Sequence, residues 1–236
     1  PIGVVGQIVP WNFPFLMAAW KLAPVLAAGD VTVLKPSSST SLSVLELMKL
    51  IAGVVPHGVI NVITGKGSKS GEFLQHHTGL NKLAFTGSTE VGREIGLSAA
   101  RMIIPSTLEL GGKSANVFFK DADMKLALEG IQLGILFNEG QVCSAGSRIF
   151  VEESFYDEFM AHVIPAFQKV KVGNPLDMTT QMGAQVDERQ LEKILSYVEI
   201  GRKEGATVAV GGARYTEGEA AKGYFMQPTL LTDVTN

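Results

Sequence analysis

The stretch Ile2-Gly-Val-Val-Gly-Gln-Ile-Val9, its continuation Pro10-Trp-Asn-Phe-Pro14, and the later run Val31-Thr-Val-Leu-Lys35 decide the fold. Residues 2–9 are small and β-branched, which predicts a strand. Pro10 and Pro14 hold the chain extended beyond it, so the strand delivers Asn12 to a loop tip. Residues 15–28 carry apolar side chains at helical spacing and stop at Gly29-Asp30, and residues 31–34 form a buried strand that runs into Lys35-Pro36. The product is one strand-helix-strand unit.

Working outward, the alternation continues. The pattern predicts a helix over 41–54, a strand over 59–63, a short helix over 68–77 opened by Gly65-Lys-Gly67, a strand over 82–85 and a helix over 89–100. Short apolar strands spaced by helices specify an α/β fold, a Rossmann-like open parallel sheet with helices on both faces and right-handed crossovers. In such sheets ligands bind beyond the carboxyl ends of the strands. The loops at Asn12, Lys35, Gly65 and Ser88 all follow strands, so they are expected to share one rim. The pattern changes at 106–110 and the pair Gly111-Gly112, which is the expected domain boundary. A second α/β series follows, with strands at 115–119, 148–151, 207–210 and 225–231 and helices at 123–137, 154–169 and 188–204. The chain has no internal repeat and no low-complexity tract.

Composition narrows the function. With 236 residues, 46% hydrophobic and 18% charged, the chain suits one large or two smaller globular domains. A net charge of -3 and no basic run argue against a partner held by phosphate neutralisation, so no nucleic acid is expected. Apolar runs break well short of the ~20 residues of a membrane span, so no membrane is expected either. One cysteine and no signal-like segment fit the cytoplasm. Because the chain starts at Pro1 on a strand-like run, it is expected to be a piece of something longer.

That cysteine, Cys143, cannot form an intramolecular disulfide or supply a structural zinc site. Free cysteines often just fill space. Here the neighbours Gly140, Ser144, Ala145, Gly146 and Ser147 are small, which leaves room for a substrate to approach the sulfur. Gly65-Lys-Gly67 through Gly71 could face an anion or simply form a turn needing positive φ. Gly87-Ser88 could meet a phosphate or simply cap a helix. Gly111-Gly112-Lys113-Ser114 fails as a P-loop, because the first glycine of that motif would fall on Thr107. The histidines, His57, His76, His77 and His162, show no metal-ligand spacing, Asp121 and Asp123 read as a helix start, and no metal is expected.

Taken together, Pro10-Trp-Asn-Phe-Pro14, Leu108-Glu-Leu-Gly-Gly-Lys-Ser114 and Asn138-Glu-Gly-Gln-Val-Cys143 through Arg148 resemble the aldehyde dehydrogenase superfamily, with Phe85-Thr-Gly-Ser88 and Lys35-Pro-Ser37 in support. The resemblance covers essentially the whole chain. It implies a dinucleotide-binding domain over 1–111 and part of a catalytic domain over 112–236. It also implies oxidation of a small-molecule aldehyde to a carboxylic acid with NAD or NADP. By the same likeness Cys143 is the nucleophile, Glu109 the general base and Asn12 an oxyanion-hole donor. Trp11, Lys35, Ser38, Gly65, Gly87, Ser88 and Leu110 become the dinucleotide contacts.

Many NAD-preferring relatives carry Glu three positions after this lysine. Here the residue is Ser38, which admits NADP. The family's Glu-x-Phe-Gly-Pro contact to the nicotinamide ribose, its amino-terminal segment and its oligomerisation arm are missing from this sequence. Full-length relatives are expected as homodimers or homotetramers. Two other readings stay open: a coenzyme A-acylating relative, although those typically lack the base found at Glu109, and a non-catalytic dinucleotide-binding or structural fragment. Phe13, Met17, Trp20 and Phe137 suggest an apolar substrate entrance, though core packing accounts for many such residues.

Overall fold

Alternation along the first strands sorts their side chains onto two faces, and both faces are covered. A computed structural model describes residues 1–235, and these group into two compact units, Pro1–Gly111 and a second beginning at Gly112. The first contains β1 (Val4–Ile8), α1 (Pro14–Ala27), β2 (Val31–Lys35), α2 (Leu42–Ile51), β3 (Ile60–Val62), α3 (Glu72–Gln75), β4 (Lys82–Gly87), α4 (Thr89–Met102) and β5 (Ser106–Leu110). The strands form one sheet in the order β3-β2-β1-β4-β5, every pair parallel.

On one face Val9 and Leu34 pack with Met17, Ala18 and Leu22 of α1 and Val44 of α2. On the other, Val4, Ile8, Val33, Leu83 and Phe85 pack with Ile95 and Ala99 of α4. Burying a side chain such as Leu34, which is 0% exposed, is worth about 1.5–3 kcal/mol, so the two apolar faces hold the sheet between its helices. The strand starts are tied as well. Asp30 Oδ1 accepts the N–H groups of Ile2 and Gly3, and Asn81 Oδ1 accepts that of Val4 at 2.8 Å.

The segment predicted as a helix over 68–77 is shorter and looser. Gly67–Gly71 is a single wide helical turn, and only Glu72–Gln75 is α-helical. The two glycines at its ends weaken the helix, and at Gly65, with φ +127°, a Cβ would lie 2.7 Å from Ser70 Oγ.

The second unit contains β6 (Ala115–Phe118), α5 (Met124–Leu136), β7 (Arg148–Val151), α6 (Tyr156–Gln168), α7 (Glu188–Lys203), β8 (Thr207–Val210) and β9 (Leu230–Thr232). β6 and β7 pair in parallel, β8 and β9 antiparallel. Its core joins Ala127 and Ile131 of α5 to Phe159, Val163 and Phe167 of α6. Asp123 caps α5, its Oδ1 accepting the Leu126 N–H at 3.0 Å. The strand predicted over 225–231 is reduced to its last residues. Pro228 has no N–H to give a ladder, and upstream of it Phe225 and Gln227 make only single backbone bonds to Tyr215 and Ala213.

Candidate active site

Because all five strands run the same way, their carboxyl ends lie at one edge of the sheet, and the first unit's candidate residues sit there. Ile8, Lys35, Phe85 and Leu108 are linked in register across β2-β1-β4-β5. Trp11 and Asn12 follow β1, Lys35 ends β2 and Ser38 lies exposed in the turn after it. Gly65 follows β3, Gly87 ends β4, Ser88 caps α4, and Glu109 and Leu110 close β5. The chain order reverses between β1 and β4, which is where open α/β sheets form a crevice.

Local chemistry explains each position. Pro14 starts α1 and leaves the preceding Asn12 loop outside the helix. The Ser88 hydroxyl accepts the Val91 N–H at 3.3 Å, which leaves its own proton free to donate. Lys35 is 4% exposed with its stem beside Gly71, and burial lowers its pKa below the usual lysine value. Among the described residues no carboxylate lies within ion-pair distance of it. Leu110 packs its half-buried side chain beside Gly92, where a Cβ would stand 2.4 Å from Leu110 Cδ2, so its backbone is what it can offer a ligand.

Leu108 and Leu110 pack on the α4 face, so Glu109 between them lies on the other face, and it is exposed. Between α1 and the sheet lie two buried polar residues, Gln7 of β1 and Lys21 of α1 itself. Gln7 is 1% exposed and donates through Nε2 to the Lys21 carbonyl at 2.8 Å. Lys21 is buried on the apolar stripe with Met17, Ala18, Leu22 and Val25. Desolvation lowers its pKa, and the charge of Glu109 pulls the other way, so the two groups feel one another. The signal was legible: a lysine on the buried stripe of an otherwise apolar helix. Of the residues read as an apolar entrance, Met17 belongs to the core, Phe13 packs against it, and Trp20 and Phe137 are exposed.

In the second unit Cys143 lies exposed in the loop between Phe137–Gly140 and β7. That loop is fastened on both sides. After the cysteine, Gly146 N–H donates to the Gly134 carbonyl at 2.9 Å and the Gly146 carbonyl accepts Asn116 Nδ2 at 3.2 Å. A Cβ at Gly146 would stand 2.3 Å from that amide nitrogen. Before the cysteine, Glu139 Oε1 accepts the Gly183 N–H at 2.9 Å and Gln141 Oε1 accepts the Val186 N–H at 3.1 Å. Burial outweighs these bonds and pushes the Glu139 carboxyl above its ordinary range. Among the described residues no cluster of His, Cys, Asp and Glu could hold a metal, and no helix is long and apolar enough to cross a membrane.

The sequence profile of the aldehyde dehydrogenase family matches residues 1–236. The chain belongs to that family. Aldehyde dehydrogenase B of Escherichia coli (strain K12) is 53% identical over 243 residues, covering 100% of this chain and 47% of the relative. An aldehyde dehydrogenase from Bacillus cereus, solved as its NAD+ complex, superposes with a TM-score of 0.95 at 47% identity, and betaine aldehyde dehydrogenase from Staphylococcus aureus in complex with NAD+ superposes at 0.97 with 43% identity. Both structures cover 100% of this chain, and it covers 47% of each. The chain thus spans about half the length of the aldehyde dehydrogenases it matches. The parallel five-stranded sheet flanked by helices is the fold it shares with them.

Proposed function

We propose that the protein to which this chain belongs oxidises an aldehyde to a carboxylic acid, with NAD+ or NADP+ as hydride acceptor and water as the second substrate. The observation that carries the reading is Cys143. It is an exposed thiol on a loop fastened before and after it, in a chain that matches the aldehyde dehydrogenase family from end to end.

In this reading the Cys143 sulfur, as thiolate, adds to the aldehyde carbonyl, forming a C–S bond and leaving an alkoxide. The Asn12 side-chain amide and the Cys143 backbone N–H donate to that oxygen. When bound, the dinucleotide supplies the acceptor for the hydride lost as the adduct becomes a thioester. Glu109 then takes a proton from water, the hydroxide attacks the acyl carbon, and the C–S bond breaks to release the acid.

The first unit's donor set suits a dinucleotide. Lys35 is a buried ammonium with no carboxylate partner among the described residues, at a strand end where hydroxyls or phosphates would satisfy it. Ser88 offers an O–H at the N-terminus of α4, where backbone N–H groups favour an anion. Gly65 and Gly87 keep the neighbouring backbone accessible, Trp11 flanks the Asn12 loop, and Leu110 contributes main-chain groups. Ser38 is neutral and exposed, so nothing at that position repels a 2′-phosphate and both dinucleotides are admitted.

The test is aldehyde-dependent formation of NADH or NADPH by the whole protein and by a Cys143→Ser variant. The variant should lose turnover while still binding dinucleotide. Retained turnover overturns the reading.

A further inference from the structure

We propose that Glu139 is a positioning residue, which ties the loop bearing Cys143 to the 183–186 segment and so sets where the sulfur stands. The inference rests on the reading of Cys143 as nucleophile. Three consecutive residues, Asn138, Glu139 and Gly140, have φ of 50°, 57° and 74°. Asn and Gly adopt that left-handed backbone readily, whereas Glu needs outside support to stay there. At Gly140 no side chain would fit, since a Cβ would lie 2.9 Å from the Ile135 carbonyl oxygen.

The support comes from more than forty residues along the chain. The Glu139 carboxylate receives the Gly183 N–H at 2.9 Å and also a hydrogen bond from the Gln141 side chain. Gln141 in turn accepts the Val186 N–H at 3.1 Å, and Gln185, 3% exposed, reaches the Glu139 carbonyl with Nε2 at 3.5 Å. Two donors converge on one carboxylate, and its two oxygens can take both. The receiving segment is itself held, because Met182 bridges to Val172 and Gln185 N–H donates to the Tyr224 carbonyl at 2.8 Å. A Cβ at Gly183 would stand 2.9 Å from Glu139 Oε1, so the carboxylate fills the place a side chain would take. With the downstream anchor at Gly146, residues 142–145 span the distance between the two fastenings. Releasing the upstream anchor lets the sulfur move while leaving its chemistry untouched.

The experiment compares Glu139→Ala, Glu139→Gln and Cys143→Ser in the whole protein. It measures kcat and KM for an aldehyde, the iodoacetamide alkylation rate of Cys143 followed by peptide mass spectrometry, and melting temperature. Glu139→Ala should lower kcat by about 10- to 100-fold, the loss expected for a misplacement near 1 Å. KM should stay within about threefold, and the alkylation rate should change with kcat. Glu139→Gln keeps an acceptor for Gly183 and should recover most of the loss, which a merely structural effect on melting would not track. If Glu139→Ala does not fold, Gly183→Ala crowds the same carboxylate from the other side and should reproduce the fall in kcat. Wild-type kcat in Glu139→Ala or Gly183→Ala, or a Gln variant no better than Ala, overturns the inference alone. Turnover surviving in Cys143→Ser overturns it together with the nucleophile reading.

Discussion

Replacing Lys21 by Met keeps the length and apolar stem of a buried side chain and removes its charge. The dominant influence on Lys21 is desolvation, which lowers its pKa, and the attraction of Glu109 offsets only part of it. The charged lysine is therefore less favourably placed in the folded chain than in water. Exchanging buried ionic groups for apolar ones of similar volume commonly stabilises by about 1–4 kcal/mol, and the Glu109 attraction argues for the lower part, roughly 1–2 kcal/mol. For a chain of 236 residues that corresponds to a rise of about 2–8 °C in melting temperature.

The pH dependence has a definite sign. Lys21 holds its proton less tightly when folded, so unfolding takes up a proton between the lowered folded value and the ordinary 10.5, and wild-type stability gains with pH across that window. The advantage of Lys21→Met should be full below the folded pKa and shrink as pH rises toward 10.5. Thermal melts of both proteins from pH 7 to pH ~10.5 measure it. A variant that melts at or below wild type near neutrality, or a gap that does not change with pH, would refute the reasoning.

Asn12→Ala should lower turnover by about two to three orders of magnitude, the usual loss for one oxyanion donor, and steady-state rates showing less than a threefold change would remove Asn12 from that role. Ser38→Glu should shift the ratio of kcat/KM toward NAD over NADP by about tenfold or more, since a carboxylate near 5 Å from a 2′-phosphate is repelled by roughly 3 kcal/mol before screening; an unchanged ratio would place the adenosine ribose elsewhere. Gly140→Ala should destabilise by about 1–2 kcal/mol from the left-handed backbone alone, a fall of about 2–8 °C in a thermal melt. A melting temperature unchanged by that substitution would mean the turn before Cys143 relaxes freely.

Local pattern carried much of this protein. The strands at Val4–Ile8, Val31–Lys35, Arg148–Val151 and Thr207–Val210 were legible because short apolar, β-branched runs between turn residues need no distant partner to be recognised. So were the cap at Asp123 and the sharing of one rim by the strand-end loops, since parallel strands joined by crossovers leave their carboxyl ends together. Cys143 stood out as the single cysteine set among small neighbours, whereas the roles proposed for Asn12 and Glu109 come from the family resemblance of the motifs around them.

What tertiary structure alone decided is long-range. The strand order β3-β2-β1-β4-β5, the bond of buried Gln7 to the Lys21 carbonyl, and the hold of Gly183 and Val186 on the cysteine loop all join residues far apart along the chain. Periodicity reports which side of an element is apolar. It does not report which distant backbone N–H will meet a carboxylate, because that depends on how separately formed elements pack, and only the folded chain brings those groups within reach.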